Sequence, residues 1–321
     1  CEIDGERAEV TLSYDSSTQT LTVAPFTTRG TKCYLYFEES KSATDIIEGI
    51  YENNQDILAY DGTTDNNLRY IGADPSNYVY FNCTDYNNPS SSTCELWRII
   101  GIFDENTHGV SGEKLVKLIR SESLGQISWN NGSNDWSDAD LQEALNGDYL
   151  NRMGSYSSTG ITTATRDMIE TVTWKLGGLN SNITTHTAST FYTEERGTTV
   201  YRDNPTEWEG KIALMYPSDY GYATDGGSTG RDTCLNYSLY NWSNYSNCYN
   251  NDWLFNNLDQ WTLTTGNTGN GNVYYVYSTG GVGYTFVFNQ QAVQPSLYLT
   301  SEVTITGGSG TSTNPYTLIS S

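Results

Sequence analysis

Apolar and polar positions alternate over the first forty residues. Val10, Leu12 and Tyr14 lead into a Ser-Ser-Thr turn, Leu21, Val23 and Pro25 follow it, and Tyr34, Tyr36 and Glu38 end the stretch. A period of two predicts a small β-meander over residues 1–40. The rhythm then turns helical: Ser42 and Asp45 have the spacing of a capping box, and Ile46, Ile47 and Ile50 share one face. Residues 97–103 are almost continuously apolar, and after a turn at 104–113 a partner run covers 114–120. Runs that are apolar on both faces predict a hairpin buried in the middle of a sheet. A second helix is expected from Ser137, with Asp140 at its third helical position and Leu141, Ala144, Leu145 and Tyr149 turned inward. A shorter third helix is expected over 166–172, with Met168, Ile169 and Val172 facing the core.

Strand patterns follow at 211–216, 273–277, 284–288 and 296–299, and alternation at Val303 and Ile305 marks a C-terminal strand. The chain therefore reads as α+β, with helices early and a strand-rich, loop-heavy second half. Its expected parts are a β module at 1–40, an α+β domain at 41–300 and a C-terminal strand and tail at 301–321.

Composition narrows the partners. Thirty-eight acidic residues face sixteen Lys plus Arg, a net charge of −22 over 321 residues. A field of that sign repels phosphate backbones and anionic headgroups, which argues against a nucleic-acid partner. No apolar run approaches the ~20 residues that a membrane-spanning helix needs. Hydrophobic content is 36% but aromatics reach 13%, so a core must be built from half-polar Tyr rings as well as aliphatics. The six cysteines, Cys1, Cys33, Cys83, Cys94, Cys234 and Cys248, form no C-x-x-C pair. Two neighbouring pairs flank short polar loops, which predicts disulfides 83–94 and 234–248 and leaves 1–33. Each loop closure stabilises by roughly 3 kcal/mol. Disulfides place the chain outside the reducing cytosol, extracellular or on a cell surface. A lipid-modified Cys1 is the alternative to the third bridge.

Reaction centres are hard to find. Gly226-Gly227-Ser228-Thr229-Gly230 has the letters of a hydrolase elbow but no strand before it and no helical pattern after it. His108 and His186 lie in polar stretches and read as solvated loop histidines rather than bases. Glu194 and Glu195 adjoin Arg196, so an ion pair to Arg196 or Arg202 is expected in place of a catalytic dyad. Oxygen-rich loops at 130–135 and 219–225 could hold a structural Ca²⁺, although no EF-hand spacing is present. No other cofactor is implied, and no enzyme activity is expected.

Several segments resemble a known family. They are Asn67 to Gly72, Tyr78 to Phe81, Cys94 to Gly101, Trp174 to Gly178, Lys211 to Tyr222, Asn251 to Leu254 and Val293 to Leu299. Together they resemble an uncharacterised extracellular domain family in surface proteins of gut-associated Gram-positive bacteria, over about residues 60 to 320. Its members follow a signal peptide or a type IV prepilin-like helix, which implies surface display and, for some, assembly into filaments. More distantly, the layout is similar to the superfold of C-type lectins and formylglycine-generating enzymes, which implies a C-type-lectin-like domain with long ligand-facing loops. The chain departs from both groups. Its cysteines read as structural rather than as a reactive pair, and Gln294-Pro295-Ser296 stands where a calcium-dependent lectin carries Glu-Pro-Asn or Gln-Pro-Asp.

Function is expected in the stretch from Tyr216 to Trp261, which carries seven Tyr, three Trp, eight Asn and five Ser with one Arg and no Lys. Tyr and Trp offer stiff contact area, while Ser and Asn offer adaptable hydrogen bonds. The segments shared with the family make Tyr220 and Tyr222 scaffold, which narrows the candidate surface to Tyr237, Tyr240, Asn241, Trp242, Asn244, Tyr245 and Tyr249. These residues would bind a glycan or a protein in an adhesin-like way. The alternatives are a homopolymeric filament or pilus subunit, whose Val303/Ile305 strand adds to a neighbour's sheet, and a glycan-active enzyme.

Overall fold

The computed structural model describes residues 2–3, 6–7, 11–15, 18, 20–24, 41–179, 183–266 and 271–320. The chain divides into two compact units, Cys1–Ser40 and Lys41–Ser321. In the first, Glu2–Ile3 pairs with Glu6–Arg7, and Thr11–Asp15 forms an antiparallel hairpin with Thr20–Ala24. Tyr34, Tyr36, Glu38 and the expected Cys1–Cys33 bridge fall outside the described residues.

The larger unit is α+β and is organised by its most apolar strand. Glu95–Phe103 buries every residue from Trp97 onward, because each face meets other elements. One edge pairs with Leu115–Arg120, in the register Trp97↔Arg120 to Phe103↔Leu115. The other edge is shared: Tyr78–Phe81 covers the first half and Leu68–Tyr70 the second. Pro295–Tyr298 and Ile212–Leu214 extend the sheet beyond Leu115–Arg120, and Leu58–Tyr60 extends it beyond Leu68–Tyr70. The expected hairpin is therefore present and central.

A second sheet runs Gln126–Ser128, Gln290–Ala292, Gln260–Thr265, Asn272–Val276 and Val282–Phe286. Val303–Gly307 pairs with Thr317–Ser320 of its own chain, so one edge of the strand expected to reach a neighbour is already occupied. Val303, Ile305, Tyr316 and Leu318 belong to the main core.

Helices match the sequence where amphipathicity is strong and differ where caps decide. Ala43–Asn53 starts at the Ser42 cap, whose hydroxyl accepts from Asp45 N while Asp45 accepts from Ser42 N. The helix expected from Ser137 begins later, at Asp140, because Asp135 caps a separate short turn, Trp136–Asp138. The third helix spans only Thr163–Arg166, and Val172 opens a strand, Val172–Lys175. Met168, Ile169 and Val172 are nonetheless buried. Residues 216–261, expected as loops, hold the short helices Pro217–Tyr222, Arg231–Leu235, Leu239–Asn244 and Ser246–Tyr249. The bridges Cys83–Cys94 and Cys234–Cys248 are both formed. Among the described residues no helix is long and apolar enough to cross a membrane.

Two glycines set close approaches. A Cβ on Gly101 would stand 2.2 Å from the Leu68 carbonyl oxygen, and one on Gly221 would stand 2.7 Å from Ala188 Cβ. The first holds Leu68–Tyr70 tight against the central strand, and the second seats helix Pro217–Tyr222 on helix Ala188–Glu195. Gly101→Ala should cost about 1–3 kcal/mol, the usual penalty of overpacking, read as a lower urea midpoint.

Candidate functional site

Three regions carry the polar and aromatic groups that bear on function. The first is a charge cluster inside the larger unit. Asp219 occupies the first turn of helix Pro217–Tyr222 and accepts from Tyr216 N at 2.9 Å. Its two oxygens then meet two cations: Oδ1 is 2.7 Å from Arg69 Nη1, and Oδ2 is 2.6 Å from Lys117 Nζ. Arg69 also pairs through Nε with Asp61 at 2.8 Å. All four side chains are 0–1% exposed.

Aromatic rings enclose the cluster. Lys117 Nζ sits 4.6 to 5.5 Å from the ring centres of Tyr216, Trp174, Phe103 and Tyr298. The Arg69 guanidinium lies 4.7 Å from Phe103 and 5.1 Å from Tyr222. Burial lowers Lys117 to about 8 even with Asp219 beside it. Burial alone would raise Asp219, but the Lys117 and Arg69 charges overcome it and hold the carboxyl at about 2.

Glu195 ends the adjoining helix, Ala188–Glu195. It accepts from Ser218 N at 3.1 Å and from the Ser218 hydroxyl, and Arg196 Nη1 lies 3.4 Å away. The expected ion pair to Arg196 thus exists, on a helix end. Burial raises Glu195 to about 7 against the opposing pull of Arg196.

The second region is a cleft of about 350 Å³ in the same unit. Tyr78, Leu96 and Phe255 are half-buried in its lining, and Glu122 and Ser312 are exposed there. Two arginines line it with their charges already matched. Arg98 lies between Tyr78 and Trp253, 4.1 and 4.5 Å from the ring centres, and pairs with Asp74 at 3.2 Å. Arg120 meets Glu95 through two contacts, at 3.0 and 3.3 Å. Amide side chains fill the remaining polar wall. Gln294 donates to the carbonyls of Arg120 and Ser121, and Asn256 donates to Gln260 and Gln294. No single motif marks this cleft in the sequence, because its walls come from six separate segments.

The third region is the Tyr/Asn/Trp stretch, which the structure splits between core and surface. Trp242 is fully buried, 5.3 Å from Tyr220, and offers no ring face to a ligand. Tyr249 is half-buried against Phe255 at 4.9 Å. Tyr237 and Tyr245 stack on each other at 3.9 Å, leaving Tyr245 37% exposed. Tyr240 is 38% exposed, Asn244 is exposed and Asn241 is half-buried. The accessible part of the expected surface is thus Tyr240, Asn244 and the Tyr237–Tyr245 pair.

Other sequence candidates resolve as structure. His108 and His186 are buried, not solvated, and burial lowers both below the ordinary value. His108 Nε2 contacts the Phe103 carbonyl at 3.2 Å, and its Nδ1 accepts from Val110 N. Ser228 lies on an exposed turn, where its hydroxyl accepts from Asn247. In the oxygen-rich loops, Asn130 and Asn134 bind backbone carbonyls, Asp219 belongs to the charge cluster, and Asp225 accepts from Gly227 N. Among the described residues no three His, Cys, Asp or Glu side chains gather to hold a metal. No family model, no curated protein and no solved structure matches the chain.

Two outcomes follow from this geometry. Trp242→Ala should cost about 3–5 kcal/mol of stability, as large core truncations do, whereas Tyr245→Ala should cost about 1 kcal/mol, the worth of one aromatic pair; urea denaturation separates them. For Glu195, the unfolded chain releases its proton near 4.5 and the folded chain holds it to about 7. Between those values the folded state binds more protons, so this group's contribution weakens as pH rises. Against a Glu195→Gln variant, the native protein should lose on the order of 1–3 kcal/mol across that window, measured as the difference between their denaturation midpoints.

Proposed function

We propose that this is a secreted or surface-displayed binding protein without catalytic activity, whose larger unit takes up an uncharged saccharide in the cleft beside Phe255. One observation carries the reading: a concave site whose aromatic and amide lining accompanies arginines with no free charge. Sugar rings present C–H faces that pack on aromatics and hydroxyls that can donate to the second lone pairs of the Asn256 and Gln294 amide oxygens, whose N–H groups are already used within the wall. A carboxylated or phosphorylated ligand would need an unmatched cation, and both cleft arginines are already neutralised.

Size points the same way. A volume near 350 Å³ lies at the low end for small-molecule pockets, whereas a stable protein partner requires about 800 Å² of surface on each side. Two disulfides fit an oxidising, extracellular setting. A C-type-lectin-like arrangement, with the ligand held by loops on the strand-rich half, belongs to the same proposal. So does membership of the extracellular family that the sequence resembles.

The test is a panel of neutral and acidic oligosaccharides followed by calorimetric titration. Binding should be confined to neutral glycans, and Phe255→Ala should weaken it at least tenfold, about 1.4 kcal/mol, without moving the melting temperature by more than a few degrees. A Tyr240→Ala/Tyr245→Ala double variant should bind normally. Loss of binding in the double variant alone would place recognition on the 236–250 surface and overturn the cleft assignment.

A further inference from the structure

The charge cluster combines features that a plain ion pair does not require. Lys117 lies on strand Leu115–Arg120 of the main sheet, Asp219 lies on helix Pro217–Tyr222, and 102 positions of chain separate them. Their side chains nonetheless meet at 2.6 Å with exposures of 0% and 1%. We infer that Lys117 and Asp219 condense, with loss of water, into an amide that cross-links the central sheet to this helix.

Burial supplies the driving force. Two ions held away from water carry a desolvation penalty that a neutral amide does not. In bulk water the reverse holds, and amides hydrolyse. Four aromatic rings around Nζ keep the site dry. Fixed contact also removes the entropy cost of bringing amine and acid together.

The surroundings serve each step. Moving one proton along the Lys117–Asp219 hydrogen bond converts the ion pair into a neutral amine and a neutral acid. Burial lowers Lys117 to about 8 while the two cations hold Asp219 near 2, so the transfer is uphill and the neutral pair is the minor species from which the attack proceeds. Nζ then attacks Cγ, and the charge that develops on Oδ1 faces Arg69 Nη1 at 2.7 Å. The Cγ–Oδ2 bond breaks, and Oδ2 leaves as water with two of the three ammonium protons. The amide keeps the third, so no outside reactant is consumed. Glu195 accepts from the Ser218 backbone and hydroxyl, next to Asp219 in the chain, and burial raises it to about 7; the relay of the second proton is assigned to it through Ser218. Charge remains balanced afterwards, because Arg69 keeps Asp61 at 2.8 Å.

Intact-mass measurement of the reduced, denatured protein decides the matter. The expected mass lies one water below that of the sequence, and a digest should yield a branched species joining the peptides of Lys117 and Asp219. Trypsin should fail to cut after Lys117. Lys117→Ala and Asp219→Ala should return the chain to its full mass, and the native protein answers the question even if neither variant folds. Full mass in the folded native protein, with both peptides linear, would overturn the cross-link. Glu195→Gln, with its circular dichroism unchanged, should leave most chains at full mass. Complete dehydration in that variant would remove Glu195 from the reaction.

Discussion

A single carboxylate, Asp219, ties the larger unit together. It joins a cation from Leu115–Arg120, Lys117, to one from Leu68–Tyr70, Arg69, the two strands that flank Glu95–Phe103, and it does so from a helix that also docks on Ala188–Glu195. Removing one partner from such a site leaves an uncompensated charge away from water, at a cost near 3–5 kcal/mol. The surrounding structure meets that demand at every point. Gly101 lets Leu68–Tyr70 approach closely enough to deliver Arg69, Tyr216 N completes the carboxylate's contacts, and aromatic rings take the remaining surface. The cluster also gives a reason for the Tyr rings packed against it, Tyr192, Tyr216, Tyr222 and Tyr298. A ring with a hydroxyl can wall in a charge and still satisfy its own polar end, as Tyr216 does by donating to the Lys175 carbonyl at 3.0 Å.

The fold was legible where periodicity was strong. The capping box at Ser42, the hairpin around Trp97 and the later strands all carry patterns that one dominant force, burial, imposes on nearby residues. Helix boundaries were less legible because short caps compete: Asp135 closes its own turn before Asp140 can begin the next helix. The segment from Tyr216 to Trp261 misled for a different reason. Its composition matches a recognition loop, yet Tyr216, Tyr220, Trp242 and Trp253 are buried. Residue type reports chemical capacity, and only the fold decides which side of the surface a ring occupies.

The candidate cleft was invisible in the sequence for a related reason. Arg98 and Arg120 lie on paired strands, Phe255 and Asn256 come from a loop, and Gln294 precedes Pro295–Tyr298, which pairs with Arg120's strand on its other edge. Nothing in their spacing brings them together; the sheet does. Gln294 belongs to a Gln-Pro-Ser triplet that lacks a metal-binding carboxylate, and its amide bonds to Arg120, Ser121 and Asn256.

The use of basic residues has a wider effect. Arg69, Arg98, Lys114, Lys117, Arg120, Lys175 and Arg196 all hold carboxylates of their own chain, and the ninety residues after Arg231 contain no Lys or Arg. The other nine cations are too few to offset a total of thirty-eight Asp and Glu. In colloidal terms the molecule is close to a polyanion wrapped around a zwitterionic centre. Copies in dilute electrolyte repel one another over the Debye length, about 30 Å at 0.01 M, and they approach freely only where salt or divalent ions collapse that layer. Ionic strength, more than any single contact, then sets how densely such molecules can crowd together.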